Sequence, residues 1–333
     1  MQQKEKVAII GDGGWGTAMA VVLNSSGRRV SIWSHDPRYL EEMRESRQNR
    51  LFLPGVEIPA GIGFEADMAK ALDWADIVVT AVPSKFLRSV LEGARGMLDP
   101  EKPVLSLTKG FDPESGQRPS QVVAECLGSR HVVALSGPSH SEEVARCLPA
   151  SVVVASEELE TARRLQQIVS TSRFRVYASR DIVGVEVAGA VKNVIALAAG
   201  LVHGMRLGDN ALAALATRGL VEMVRLGVAM GGDAATFSGL AGMGDLITTC
   251  ISAHGRNRRV GTMLAEGKSL KDVLESMNGE PESVTTTSVT LGLARRHLVD
   301  MPITEQVAAV LWEGKKPEQA LNELMNRARK DED

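Results

Sequence analysis

The sequence predicts an α/β chain in which a doubly wound, mostly parallel sheet domain is followed by an all-helical domain. Three observations carry that prediction. Up to about residue 180, short β-branched runs alternate with stretches suited to helices, and continuously apolar strands separated by helices belong to a parallel sheet covered on both faces. Beyond residue 180 the texture changes to segments rich in Ala, Leu and Met at helical length and period. A length of 333 residues also exceeds what one hydrophobic core usually serves. Domains at 1–180 and 181–333 are therefore expected, the boundary resting on texture because no repeat or Pro/Ser-rich linker marks it.

In chain order the expected strands are KVAII (6–10), RVSIW (29–33), IVVTAV (77–82), PVLSLT (103–108), HVVALS (131–136), SVVVA (151–155) and FRVYA (174–178). TAMAVVLNSS and ELETARRLQQIV are expected helices between them. In the second half, GVEVAGAVKNVIALAAGLVHG and NALAALATRGLVEMVRLGVAMGG have helical period. The tail RARKDED is a charge run expected to fray.

Composition narrows the function. The chain is 44% hydrophobic and 24% charged with net charge −3, so no overall positive field gathers nucleic acid or acidic lipid, and any anion must be held locally. Small ligands are expected, with no nucleic-acid partner. Cys126, Cys147 and Cys250 are an odd, widely spaced set with no CxxC pair, which fits a reducing compartment. The start, MQQKEKVAIIG, runs from polar residues into a strand-length apolar run without a signal-type segment; a cytoplasmic location is expected. No metal site and no integral membrane association are expected either, because Lys192 interrupts the best spanning candidate.

KVAIIGDGGWGTAMAVVLNSSG places Gly11, Gly13 and Gly16 as GxGxxG between a strand and a helix. In that setting the glycines serve a tight turn, close backbone approach to a pyrophosphate, and close helix–strand packing, with phosphate at the helix N-terminus. NAD-selective versions carry an acid roughly twenty residues on, at the end of the second strand. Here WSHDPR puts His35 near that place, with Asp36 and Arg38 beside it. A cation facing a 2′-phosphate favours NADP(H), with NAD(H) kept open; Asp36 before Pro37 reads equally as a helix cap.

AGAVKNVIALAAG (188–200) sets Lys192 and Asn193 in an otherwise aliphatic stretch. On a helix, the i±3 and i±4 neighbours of Lys192 are Ala188, Gly189, Ile195 and Ala196, none a counter-ion. Lys192 either snorkels to water or stands in a cleft wall. A partly desolvated lysine has a lowered pKa and can trade a proton near neutral pH, which suits carbonyl reduction. FSGLAGMGDLITTC offers Asp245 to hold that ammonium, unless it is a plain helix N-cap. HGRNRRVG follows with Arg256, Arg258 and Arg259 around Asn257, and arginine forks onto phosphate. SLTKG ends a strand with Lys109 at the edge where open α/β sheets bind ligands. In SGPSHSEEVA, Ser139 and Glu142 match an S-x-x-E capping box.

Taken in order, GDGGWGTAMA, FLPGV, VPS, TKG, SGPS, FRVY, GAVKNVIALAAG, TRGLVEM, GMGDLITTC, RNRR and MPITE resemble the bacterial NAD(P)-dependent glycerol-3-phosphate dehydrogenases, from residue 11 to about 305. The resemblance implies an N-terminal Rossmann domain, a helical C-terminal domain and reversible reduction of dihydroxyacetone phosphate to sn-glycerol 3-phosphate. It implies Lys192 as proton donor and acceptor, with Lys109, Gly137, Ser139, Asp245, Gly255, Arg256 and Asn257 around the substrate. Gly14, Trp15, His35, Lys109, Ser141, Arg256 and Glu282 fall where the family contacts NADP(H) or NAD(H). A homodimer feeding phospholipid synthesis is implied as well. Three positions depart from the family pattern: Gly255 replaces a usual serine, His140 a usual aromatic, and GEPESVTTT (279–287) matches only loosely, with Ser283 for glycine. On the residues alone, a related dehydrogenase of another hydroxy acid or sugar nucleotide, and a nucleotide sensor without turnover, stay open.

Overall fold

A computed structural model describes residues 4–252, 255–277, 281–328 and 331. Its chain divides into two compact units, one up to Glu186 and one from Val187 onward, the division falling inside the helix Ile182–Gly204.

Ten strands form in the first unit: β1 (Lys6–Ile10), β2 (Arg29–Trp33), β3 (Gln48–Asn49), β4 (Leu53–Glu57), β5 (Ile62–Glu65), β6 (Ile77–Thr80), β7 (Val104–Ser106), β8 (Val132–Ser136), β9 (Ala150–Ala155) and β10 (Phe174–Ser179). Eight of them make one sheet in the order β10-β9-β8-β7-β6-β1-β2-β5, and β3 pairs with β4 in a separate hairpin. Within the large sheet every pairing is parallel except β8 with β9. The chain builds outward from β1 through β2 to β5, then returns to the other side of β1 with β6. That reversal leaves a crevice at the carboxyl ends of β1 and β6, where sheets of this type bind ligands.

The central strands β6 and β7, and β1 beyond Lys6, are buried on both faces, which is why they are almost wholly apolar. On β1, Val7 and Ile9 join one core with Met19, Leu23, Leu40 and Leu165. Ala8 and Ile10 join the other, with Leu72, Leu87, Leu91 and Val123. Such alternation onto two cores requires helices above and below.

Two features of the sheet differ from the sequence expectation. The edge strand β5 and the β3–β4 hairpin were not expected, because IGFE is four residues long, contains Gly63 and buries only its first residue fully, so it lacks the apolar run of a central strand. β9 runs antiparallel to β8, and a run such as SVVVA carries no mark of its direction.

All described regular structure of the second unit is helical. The helix Ile182–Gly204 is followed by Gly208–Ala229, a π-helical turn at Leu240–Gly244, Asp245–Ile251, Arg256–Ala265, Glu282–His297 and Pro302–Trp312, with shorter helices between and after. Glu222, on Gly208–Ala229, accepts hydrogen bonds from the Ile303 and Thr304 amides and the Thr304 hydroxyl. Those amides open the helix Pro302–Trp312, whose N-cap Met301 makes no side-chain cap; Glu222 satisfies the orphan donors instead. This joins TRGLVEM to MPITE.

One expectation is corrected here. Lys192 does not keep its helix below spanning character: Ile182–Gly204, and also the segment Ala234–Ile251, are long and apolar enough to cross a membrane by length and composition. In the first, 94% of the most apolar window is buried inside the protein, as for a core helix. The charged tail at 327–333 lies mostly outside the described residues.

Candidate active site

In the first unit the glycine loop joins β1 to the helix Gly14–Ser25 at the sheet's reversal point. Gly11 has φ +119° and donates its amide to the Trp33 carbonyl; a Cβ there would fall 2.6 Å from the Ala81 oxygen. A Cβ on Gly16 would meet the Gly11 carbonyl oxygen at 2.5 Å, so helix and strand approach too closely for any side chain. Gly13 differs, because a Cβ there would find only the Ala81 oxygen at 4.0 Å. The space beside its Cα is otherwise open, which allows the close backbone approach that a pyrophosphate needs. As N-cap, Gly13 offers no side chain to the first-turn amides, which suits an anion.

The surroundings fit a dinucleotide as well. The Trp15 indole nitrogen is buried without a partner, and a Cβ on Gly14 would lie 3.4 Å from the Ser141 hydroxyl and 2.4 Å from the Phe52 oxygen of FLPGV. Gly14 thus borders both Ser141 and the FLPGV loop. His35 is exposed just beyond β2. Asp36 caps the helix Pro37–Ser46, accepting from the Arg38 and Tyr39 amides. With Gly13→Ala, nucleotide binding measured by fluorescence titration should weaken at least about tenfold, with thermal stability unchanged. Gly16→Ala should instead lower stability by about 1–3 kcal/mol.

Lys109 lies three residues past β7 and Gly137 one past β8, on the same sheet edge. The Gly137 carbonyl accepts from Lys109 Nζ at 2.9 Å and from the Ser139 hydroxyl at 2.8 Å, so one oxygen orients both side chains. This corrects the capping-box expectation: Ser139 turns back to Gly137, the N-cap is His140, and the helix starts only at Ser141. Glu142 accepts from the Ser141 hydroxyl instead.

In the second unit Lys192 is 6% exposed and Asp245 2%. An ammonium held that far from water needs a partner, and its own helix has none. Lys192 Nζ donates to Asp245 Oδ1 at 2.6 Å and to Thr249 Oγ1 at 2.9 Å. Thr249 in turn donates to the Asp245 carbonyl at 2.6 Å, so its lone pairs face the lysine. Asp245 is the first residue of its helix, after the N-cap Gly244, and its carboxylate is spent on Lys192 rather than on a plain N-cap. Glu186 serves elsewhere, accepting from Arg118 and Ser120, with burial raising its carboxyl above the ordinary value.

The helix Arg256–Ala265 crosses the lysine helix at close range: a Cβ on Gly200 would fall 2.0 Å from the Arg258 oxygen, and one on Gly261 2.0 Å from the Leu197 oxygen. That crossing brings Asn257 to Asn193, with Nδ2 donating to Oδ1 at 2.9 Å. Asn257 Oδ1 accepts from the Ser283 amide at 3.1 Å. The Asn193 Nδ2 and the Ser283 hydroxyl are buried without partners, a pattern that marks a site for water or ligand. Arg256 begins its helix exposed, after the buried N-cap Gly255. Glu282 begins the helix that carries Ser283, while residues 279 and 280 of the loosely matching segment lie outside the described residues.

Thr249 was not among the expected site residues. Its signal was present, since it stands four residues after Asp245 and so on the same helix face. Asn193 was noticed only as the neighbour of Lys192.

A sheet with a glycine loop at its reversal point, continued by a helical unit, is the architecture of the Rossmann-type dehydrogenases. The chain belongs to the NAD-dependent glycerol-3-phosphate dehydrogenase family, whose N-terminal model matches residues 6–162 and C-terminal model residues 181–322. A glycerol-3-phosphate dehydrogenase (NAD(P)+) of Geobacillus kaustophilus is 48% identical over 98% of this chain and 96% of its own. That of Chlorobium phaeobacteroides is 46% identical over 98% and 99%. The crystal structure of glycerol-3-phosphate dehydrogenase from Coxiella burnetii superposes with a TM-score of 0.93 at 37% identity, covering 97% of this chain and 99% of that one.

Proposed function

We propose that this chain reduces dihydroxyacetone phosphate reversibly to sn-glycerol 3-phosphate with NAD(P)H. The observation that carries the chemistry is the buried Lys192 ammonium held by Asp245 and Thr249, within a family whose members are so named. Residues 1–180 serve the dinucleotide and 181–333 the substrate and catalysis. Bound NAD(P)H supplies the hydride. As the carbonyl oxygen gains charge, Lys192 gives it a proton; in reverse it takes the proton from the alcohol. Asp245 and Thr249 keep the ammonium oriented. Arg256 and Asn257 grip the phosphate, with the unpartnered Asn193 Nδ2 and Ser283 hydroxyl as added donors.

Lys109, Gly137 and Ser139 complete the substrate surroundings, and the Gly255 amide stands in for the missing serine hydroxyl. Gly14, Trp15, His35, Lys109, Ser141, Arg256 and Glu282 contact the cofactor. Support for this assignment is the family match and, in the first unit, the open glycine loop.

The phosphate grip is tested by comparing kcat/KM for dihydroxyacetone phosphate with that for dihydroxyacetone. A preference of at least about 10³-fold is expected, with Arg256→Ala erasing most of it through KM. Equal efficiency with the two ketones would overturn the phosphate assignment.

The product is a glycerophospholipid backbone, so the reaction feeds lipid synthesis, in the cytoplasm and as a homodimer. Exposed Ile247 and Ile251, one turn apart on the helix Asp245–Ile251, support a self-association surface. A monomer by sedimentation at micromolar concentration would remove that part.

A further inference from the structure

The end of β2 is where this fold class places an acid on the adenosine ribose. The residues there are Ser34 and His35, and the nearby Asp36 is engaged as a helix cap. An acid nevertheless reaches the spot from the glycine loop. Asp12, buried between Gly11 and Gly13, accepts from the Ser34 hydroxyl at 2.7 Å through Oδ2. The same hydroxyl accepts the Asp36 amide at 3.0 Å, which fixes its proton toward Asp12.

The backbone of Asp12 is held too. Asn49 Nδ2 donates to the Asp12 carbonyl and to Thr17 Oγ1, each at 2.7 Å, and Tyr39 donates to Asn49 Oδ1. Among the described residues, none donates to Asp12 Oδ1.

We infer that Asp12, oriented by Ser34, takes the ribose acid's place and makes the site prefer NAD(H) over NADP(H). This rests on the proposed nicotinamide-dependent reading. A 2′-hydroxyl donates to Oδ1, the carboxylate oxygen that Ser34 leaves without a donor, whereas a 2′-phosphate lacks that donor and brings like charge to a buried carboxylate, where screening is weak. His35 and Arg38 favour the phosphate, yet Arg38 has a side chain 96% exposed, 3.9 Å from Asp36. Charges so exposed contribute little. The buried acid outweighs them, against the NADP(H) preference expected from WSHDPR.

The test is direct titration of the folded protein with NADH and with NADPH, by calorimetry, for the parent, Asp12→Ala, Asp12→Asn and Arg38→Ala. The parent should bind NADH at least tenfold more tightly. Asp12→Ala should cut the ratio of the two dissociation constants about tenfold or more, with NADPH bound as well as before or better. Asp12→Asn, which keeps an acceptor oxygen and loses the charge, should fall between. Arg38→Ala should change the ratio less than threefold. An unchanged ratio in Asp12→Ala, or a parallel loss of both affinities, would overturn the inference, as would tighter NADPH binding by the parent. A parent that binds neither nucleotide would refute the dehydrogenase reading itself.

Discussion

Lys192→Met should lower kcat by about 10³-fold while NADH and NADPH still bind, because a positioned proton donor contributes roughly 10²–10⁴ to such steps. The same change should also destabilise the second unit. Lys192 and Asp245 form a buried pair, and removing the cation leaves the carboxylate buried without it, which costs about 3–5 kcal/mol. Lys192→Met combined with Asp245→Asn removes both charges and should recover much of that stability with no recovery of turnover. The combination separates catalysis from folding. Denaturant midpoints and steady-state rates on both variants check it; a double variant that regained activity would show that stability alone was being read.

Glu222→Ala should be the most damaging change far from the chemistry. It removes the acceptor shared by the Ile303 amide, the Thr304 amide and the Thr304 hydroxyl. With each of the three buried donors left unmatched costing about 1–3 kcal/mol, a loss of at least about 3 kcal/mol in urea unfolding is expected. Glu222 also gives the fold a pH dependence. Burial pushes its carboxyl up to about 7, against the lowering effect of the Ile303 and Thr304 hydrogen bonds. Between the unfolded value near 4.5 and about 7 the native state therefore holds the extra proton. The contribution of this group to stability is full below about pH 4.5 and is lost as pH rises to about 7, by roughly 3 kcal/mol. Subtracting the unfolding free energy of Glu222→Gln from that of the parent isolates the effect. That difference should fall across the window and level off above it; a flat difference would contradict the assignment.

The fold was legible where burial imposes a pattern. β1 and β2 have the bounds expected from KVAII and RVSIW: β1 is apolar on both faces beyond Lys6, and β2 buries Val30 and Ile32 on one of its faces. The edge strand β5 escaped notice because it buries too little to need that pattern, and the direction of β9 because an apolar run reads alike both ways. In the site, Lys192 stood out as a charge among aliphatic residues. Its distance from Asp245 did not, since the two are 53 positions apart and only folding decides which acid meets it. Ser139 shows the opposite case, a matching capping-box spacing whose hydroxyl is drawn back to the Gly137 carbonyl before any helix begins. The role of Glu222 left no local mark in the sequence, because its partners are 81 and 82 positions away. Asp12 was hidden by its own motif, where the residue between the first two glycines is free to vary.

The central claim is that Lys192 delivers the proton during carbonyl reduction. The most direct measurement is a single turnover: Lys192→Met premixed with NAD(P)H, then mixed with saturating dihydroxyacetone phosphate, following absorbance at the nicotinamide band. The account predicts oxidation about 10³-fold slower than in the parent, at unchanged nucleotide affinity. A first turnover at the parent's rate would contradict it.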